Sequence, residues 1–261
     1  MRCSEIQLSL EGLNLKRCII VGAGSGVSAA VALRFGTGGY TVGLISRNAQ
    51  NLEDLSKRLS DAGVTAFWET ANAGDAEELD QALDSLVSRQ GSCDVLVYNA
   101  AVLRPGKPLD VTTDDIAVEL AVNLLGAHRA VKKLAPKMIE RGAGTILFTG
   151  GGLSLEPFPE WTSLALGKSA LRSLAISLYK DLAPKGVHVS VLAICGIVAP
   201  GGPFDPSKIA EEYWRVATRP VGVADREVVF QPAGTDPFYN DPEKAYSDVS
   251  VLPSHMRQAS S

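Results

Sequence analysis

"RCIIVGAGSGVSAAVALRF", residues 17–35, joins two kinds of pattern through a hinge of glycines. Arg17 to Gly22 is a short β-branched run that ends in glycine, the composition of a buried strand. From Ser28 to Phe35 the residues are good helix formers. Strand, tight turn and helix in that order open an α/β sheet. Gly22, Gly24 and Gly26 lie in the turn, where backbone amides and the positive end of the helix can hold a pyrophosphate. Glycine also makes ordinary tight turns, so the weight of the pattern comes from its place behind the first strand.

Outward from this unit the alternation continues. "YTVGLIS" (40–46) reads as a strand, "AQNLEDLSKRLSDAG" (49–63) as an amphipathic helix, "VTAFWET" (64–70) as a strand and "DAEELDQALDSLVSRQG" (75–91) as a helix with an acidic cap. "DVLVYN" (94–99) is apolar on both faces, as a central parallel strand is. One helix is expected around 115–138, a strand at "GTILFTG" (144–150), a helix over 161–182 and a strand at "VHVSVLAI" (187–194). Strands alternating with helices predict an α/β fold, a three-layer doubly wound parallel sheet of the Rossmann-like kind, with ligands beyond the C-terminal strand ends. The whole of 1–261 reads as a single domain. A loose stretch at about 200–225, with a helix over 206–217, is expected to form a lid, and 231–261 a peripheral tail. Tyr213 and Trp214 on that helix are either substrate contacts or lid packing. "REVVF" (226–230) is a possible last strand.

A net charge of −4 and a sequence pI near 5.5 give no basic footprint for nucleic acid. No run approaches the ~18 to 20 apolar residues of a membrane span, and the N-terminus lacks a signal-peptide core. A soluble, cytoplasmic protein with no membrane partner is expected. Cys3, Cys18, Cys93 and Cys195 form no CxxC pair, and His128, His188 and His255 are scattered, so no metal site is expected.

The second strand ends in "ISRN". An acidic residue there would bind the ribose 2′-hydroxyl of NAD; Arg47 instead suits a 2′-phosphate through paired, charge-assisted bonds, unless it is simply a solvated surface side chain.

With these pieces in place, residues 15 to 200 resemble the short-chain dehydrogenase/reductase family. The resemblance rests on "VGAGSGVSA", on "YNAA" (98–101), on Asn123 in "VNLLGAH" and on Lys168 in "LALGKSAL". It implies an NADP(H) site made by Gly22, Gly24, Ser25, Gly26 and Val27 at the turn, Ser46, Arg47 and Asn48 after the second strand, and Asn72 after the third. Asn99, Ala100 and Ala101 after the fourth strand, with Lys168, Gly196 and Ile197, complete it. The resemblance also implies a homodimer or homotetramer paired through the helices at about 113–135 and 161–182.

The chain departs from the family at Ser28, Ala101 and Cys195, and more consequentially at two positions of the proton relay. Leu164 stands where the family has its tyrosine, four residues before Lys168, and Gly151 where it has its serine. Leucine has no proton to give, and glycine no side chain with which to polarise a carbonyl. Thr149, Ser154 and Ser163 are candidate substitute donors, Ser163 the poorest because it points about 100° away from residue 164 around the helix. Lys168 and Asn123 remain as a residual polar relay, with Asn123 open to a purely structural role.

"EPFPEW" (156–161) is similar to a segment of fungal short-chain-dehydrogenase-like enzymes of indole alkaloid pathways that combine NADPH reduction of a cation with cycloaddition. Phe158 takes the place of their aspartate, so Glu160 would have to serve as the acid, while Trp161 either shapes the pocket or packs the helix start. An atypical oxidoreductase of small-molecule or secondary metabolism is therefore expected, delivering hydride to an imine, an iminium ion or another activated electrophile with a hydrophobic or aromatic body. A cyclase using bound NADP(H) and a cofactor-binding pseudoenzyme are the alternatives.

Overall fold

The computed structural model describes residues 16–220 and 225–235. β1 (Lys16–Val21) forms where the β-branched run predicts it, exposed at its start and buried from Cys18 onward. The glycine turn delivers the chain into α1 (Val27–Thr37). β2 (Tyr40–Ser46), α2 (Ala49–Asp61), β3 (Ala66–Thr70), α3 (Ala76–Gln90) and β4 (Val95–Tyr98) follow. Helices α2 and α3 begin under side-chain caps, Asn48 accepting from the Asn51 amide and Asp75 from the amides of Glu77 and Glu78.

The helix expected around 115–138 is interrupted. α4 (Thr113–Leu120) opens with a capping box between Thr112 and Asp115, a π-turn covers Ala121–Leu125, and α5 (Gly126–Arg141) completes the run. Such turns occur where a packing demand outweighs regular hydrogen bonding, and this one carries buried Asn123. β5 (Gly144–Thr149), α6 (Thr162–Leu182), β6 (Val187–Ile194), α7 (Pro206–Thr218) and β7 (Glu227–Phe230) end the described chain.

All seven strands are parallel, in the order β3-β2-β1-β4-β5-β6-β7. The chain winds outward in one direction from β1 and in the other from β4, so the switch point lies between them. Alternate residues of the central strands feed two cores. Ile19, Val21 and Ile45 pack with α3, α5 and α6, whereas Cys18, Ile20, Val42 and Leu44 pack with α1, α2 and α7.

The expected lid is instead part of the second layer. Ile209, Ala210, Tyr213 and Val216 of α7 are buried against α1, and Trp214 meets Phe35 edge-on at 5.4 Å with the Arg34 guanidinium 4.0 Å from its ring. Packing, and not substrate contact, accounts for both Tyr213 and Trp214. Residues 221–224 of the lid region, the tail beyond Thr235, Cys3 and His255 lie outside the described residues. Cys18, Cys93 and Cys195 are free and buried. Among the described residues no helix is long and apolar enough to cross a membrane, and no group of three or more His, Cys, Asp or Glu side chains could hold a metal ion.

Candidate active site

The glycine turn is fixed by what its neighbours require. Gly22 has φ +87°, and a Cβ there would lie 2.2 Å from the Ala100 amide nitrogen, so both conformation and space exclude a side chain. Its amide and that of Ala23 donate to the Ile45 carbonyl (2.8 and 2.9 Å), and its carbonyl accepts from Asn99 Nδ2 (2.9 Å). Ser28, the departure from the glycine pattern, is buried and closes the turn on itself: its Oγ accepts from the Gly24 amide at 2.8 Å. Gly26 caps α1 with no side-chain hydrogen bond, and a Cβ there would meet nothing within 4 Å. Open space over the first-turn amides is what an incoming anion needs.

Beyond this turn, at the C-terminal ends of the strands, lies a cleft of about 640 Å³. Every residue assigned above to the dinucleotide lines it: Gly22, Gly24, Ser25, Gly26, Val27, Ser46, Arg47, Asn48, Asn72, Asn99, Ala100, Ala101, Lys168, Gly196 and Ile197. Arg47 and Lys168 are its two cations, and among the described residues no Asp or Glu lines it. Asn72 is held by its own turn, its Oδ1 accepting from the Gly74 amide at 3.1 Å. The exposed position of Arg47 follows from the end of β2, where the sheet stops and α2 begins.

At the other end the walls are apolar. Leu164, Leu153, Trp161, Ala101 and Leu103 line the cleft, with Phe158 and Ala165 packed behind them. Lys168 is buried, its Nζ donates to the Thr149 carbonyl at 2.6 Å, and desolvation lowers its pKa to about 8. Gly151 is extended, with no heavy atom nearer than 3.9 Å to an added Cβ. The segment carrying Trp161 is tied to the chain after β4: the Gly106 amide donates to the Glu160 carbonyl (2.7 Å) and the Thr162 amide to the Gly106 carbonyl (3.2 Å).

Two of the four residues expected at the chemistry are elsewhere. Asn123 does not line the cleft; its Oδ1 accepts from the Val102 amide at 2.7 Å, tying the π-turn to the chain after β4, the structural role left open above. Close packing holds it there, since a Cβ on Gly167 of α6 would come within 2.7 Å of the Asn123 Cβ. Glu160 does not line the cleft either; its neighbour Trp161 takes the inward position. Of the substitute donors, Ser163 is buried outside the cleft and Ser154 donates to the Gly151 carbonyl. Thr149 does line it, but its hydroxyl hydrogen is committed to Asn99 Oδ1 at 2.9 Å.

Sequence reasoning missed Asn51, Leu103, Val122, Leu153 and Val198, all of which line the cleft. Asn51 had a signal, lying in the first turn of a helix capped by Asn48 beside Arg47. Val122 sits in the π-turn and the others follow loop directions, neither of which periodicity encodes.

The family profile for short chain dehydrogenase matches residues 16–202. A fatty acyl-CoA reductase of Mycobacterium tuberculosis is 30% identical over 229 residues, 82% of this chain and 78% of its own length. The mouse dehydrogenase/reductase SDR family member 4 is 28% identical over 183 residues, 69% of this chain. The match spans 65% of that mouse protein, just under two thirds. Among solved structures, an alcohol dehydrogenase from Thermococcus sibiricus complexed with 5-hydroxy-NADP superposes with a TM-score of 0.78 at 24% identity, covering 87% of this chain and 100% of that one. A metagenomic short-chain oxidoreductase in complex with NADP gives 0.77 at 25% identity, covering 83% and 97%. With a family match over most of the chain, relatives along its length and this cleft at the sheet's switch point, the protein belongs to the short chain dehydrogenase family of oxidoreductases.

Proposed function

We propose that this protein is an NADP(H)-dependent reductase that delivers hydride to an activated electrophile, above all an imine or iminium ion, in small-molecule metabolism of the secondary kind. One observation carries the reading: the cleft offers Arg47 and Lys168 with no opposing carboxylate, yet no hydroxyl at positions 151 and 164. The donor set fits a phosphorylated dinucleotide. The uncapped start of α1 offers amides to a pyrophosphate, Gly22 allows its close approach, and Arg47 stands where a 2′-phosphate needs a paired donor. Two structural neighbours hold NADP or its 5-hydroxy derivative, which supports the same cofactor here.

When bound, the reduced nicotinamide supplies a hydride. The chain's own residues orient the reactants and manage charge. Leu164, Leu153, Leu103 and Trp161 exclude water and receive a flat hydrophobic or aromatic body. An iminium carbon is already positive and becomes an amine carbon on accepting hydride, with no proton required, so leucine at position 164 costs the reaction little. Burial lowers the Lys168 pKa to about 8, so its amine loses its charge, and its repulsion of such a cation, only as pH rises through that value. The cyclase alternative loses its acid, since Glu160 stands outside the cleft. A homodimer or homotetramer is part of the proposal; Val118, Leu125 and Leu166 present exposed apolar side chains along the α4 to α6 surface.

The test compares a ketone with a cyclic iminium ion of matched size, following loss of NADPH absorbance, on the native protein and on Leu164→Tyr/Gly151→Ser. Iminium turnover by the native protein, with ketone turnover gained only in the double variant, is expected. Native ketone reduction without iminium reduction overturns the substrate class. NADPH binding without any turnover replaces it with the pseudoenzyme reading.

A further inference from the structure

A chain of hydrogen bonds runs beneath the cleft floor and ends on a residue that does not line it. Asn99 Nδ2 donates to the Gly22 carbonyl at 2.9 Å, which turns Asn99 Oδ1 toward Thr149. The opposite amide orientation would set two carbonyl oxygens against each other, so this one is dictated by chemistry. Thr149 Oγ1 therefore gives its only hydrogen to Asn99 Oδ1 (2.9 Å). Its contact with the Tyr213 hydroxyl, at 2.6 Å, must be one in which Tyr213 donates. The order of protons is fixed along the whole chain, from α7 through the ends of β5 and β4 to the glycine turn after β1. The carbonyl of Thr149 holds Lys168 Nζ at 2.6 Å, so one residue anchors both the amide under the turn and the amine at the reacting end.

Tyr213 is fully buried and lies outside the cleft, and burial holds its phenol well above the usual value, so the hydroxyl stays a donor. A core tyrosine at this place packs as well without its oxygen; the hydroxyl's partner is Thr149. We infer that Tyr213 is a positioning residue of the dinucleotide site, its hydroxyl fixing the Thr149 hydroxyl and, through it, the Asn99 amide that shapes the Gly22 turn. The inference rests on the dinucleotide reading above and adds to it a residue more than 40 positions beyond Lys168 in the chain. Coupled bonds of this kind lose more than one member when one is removed.

The experiment measures NADPH dissociation constants for the native protein, Tyr213→Phe, Thr149→Val, the pair together, and Thr149→Ser. Tyr213→Phe keeps the ring and is expected to raise the constant about three- to tenfold, the span of one neutral hydrogen bond. The double variant should bind no more weakly than Thr149→Val alone, and Thr149→Ser, which keeps the hydroxyl, should bind as the native protein does. Ile209→Val destabilises the same helix without touching the chain of bonds; it should lower the melting temperature and leave the constant unchanged. A Tyr213→Phe constant within twofold of native, multiplicative losses in the double variant, or an equal loss in Ile209→Val each overturns the inference while leaving NADPH binding intact. A native protein with no affinity for NADPH overturns this inference and the functional reading together.

Discussion

The proposed preference for NADP(H) rests on one guanidinium, that of Arg47. Arg47→Glu should weaken NADPH at least about tenfold while leaving NADH binding equal or improved, because a carboxylate repels a 2′-phosphate and accepts from a 2′-hydroxyl; titrating both cofactors checks it. Gly22→Ala should abolish dinucleotide binding and lower the melting temperature, since its methyl must displace the Ala100 backbone from a left-handed position. Lys168 makes a pH-dependent contribution. Burial lowers its pKa from 10.5 to about 8, so between those values the unfolded chain binds more protons and this group's contribution to stability rises with pH. Below about pH 8 the fold carries a buried ammonium at a cost on the order of 3 kcal/mol. Lys168→Met should thus be more stable than the native protein near neutrality by up to that amount, with the advantage vanishing toward pH 10.5. Comparing the two proteins in denaturant at each pH isolates the effect, because buried Cys18, Cys93 and Cys195, with raised pKa values, shift both proteins' stability the other way above pH 9.

Between elements, the closest approach of consequence is α6 against the π-turn. Gly167→Ala would force its methyl into Asn123, and we expect a loss of about 1–3 kcal/mol together with loosening of the Val102 amide, read by thermal melting and by exchange at that amide. The elements themselves were legible: each expected strand appears within about two residues, because β-branched runs between glycines leave little choice. The π-turn was not, since nothing in "AVNLL" distinguishes it from α-helix until Asn123 must reach across to Val102. The lid reading of α7 overlooked a signal that was present. Ile209, Ala210, Tyr213 and Val216 recur at helical spacing, which marks a packed face.

For the molecule as a whole, the residues expected at a dinucleotide come together in one cleft because they sit in fixed register at strand ends. The apolar end was not legible, because Leu103 and Leu153 enter from loops whose direction only the fold defines. The fold also limits tolerance to acid. His188 on β6 is buried with neither ring nitrogen hydrogen-bonded among the described residues, and burial lowers its pKa below 6.5. As pH falls below 6.5 the unfolded chain takes up a proton that the fold resists, so stability should drop by about 1.4 kcal/mol per pH unit until the buried ring itself titrates. His188→Phe, which keeps the edge contact with Tyr179, should flatten that slope in denaturant melts from neutral to mildly acidic pH. The two backbone bonds joining Gly106 to Glu160 and Thr162 brace the segment that carries Trp161 into the cleft. Deuterium can replace hydrogen on the Gly106 and Thr162 amides only when those bonds part, so the exchange rate there should report how often the backbone on either side of Trp161 loosens.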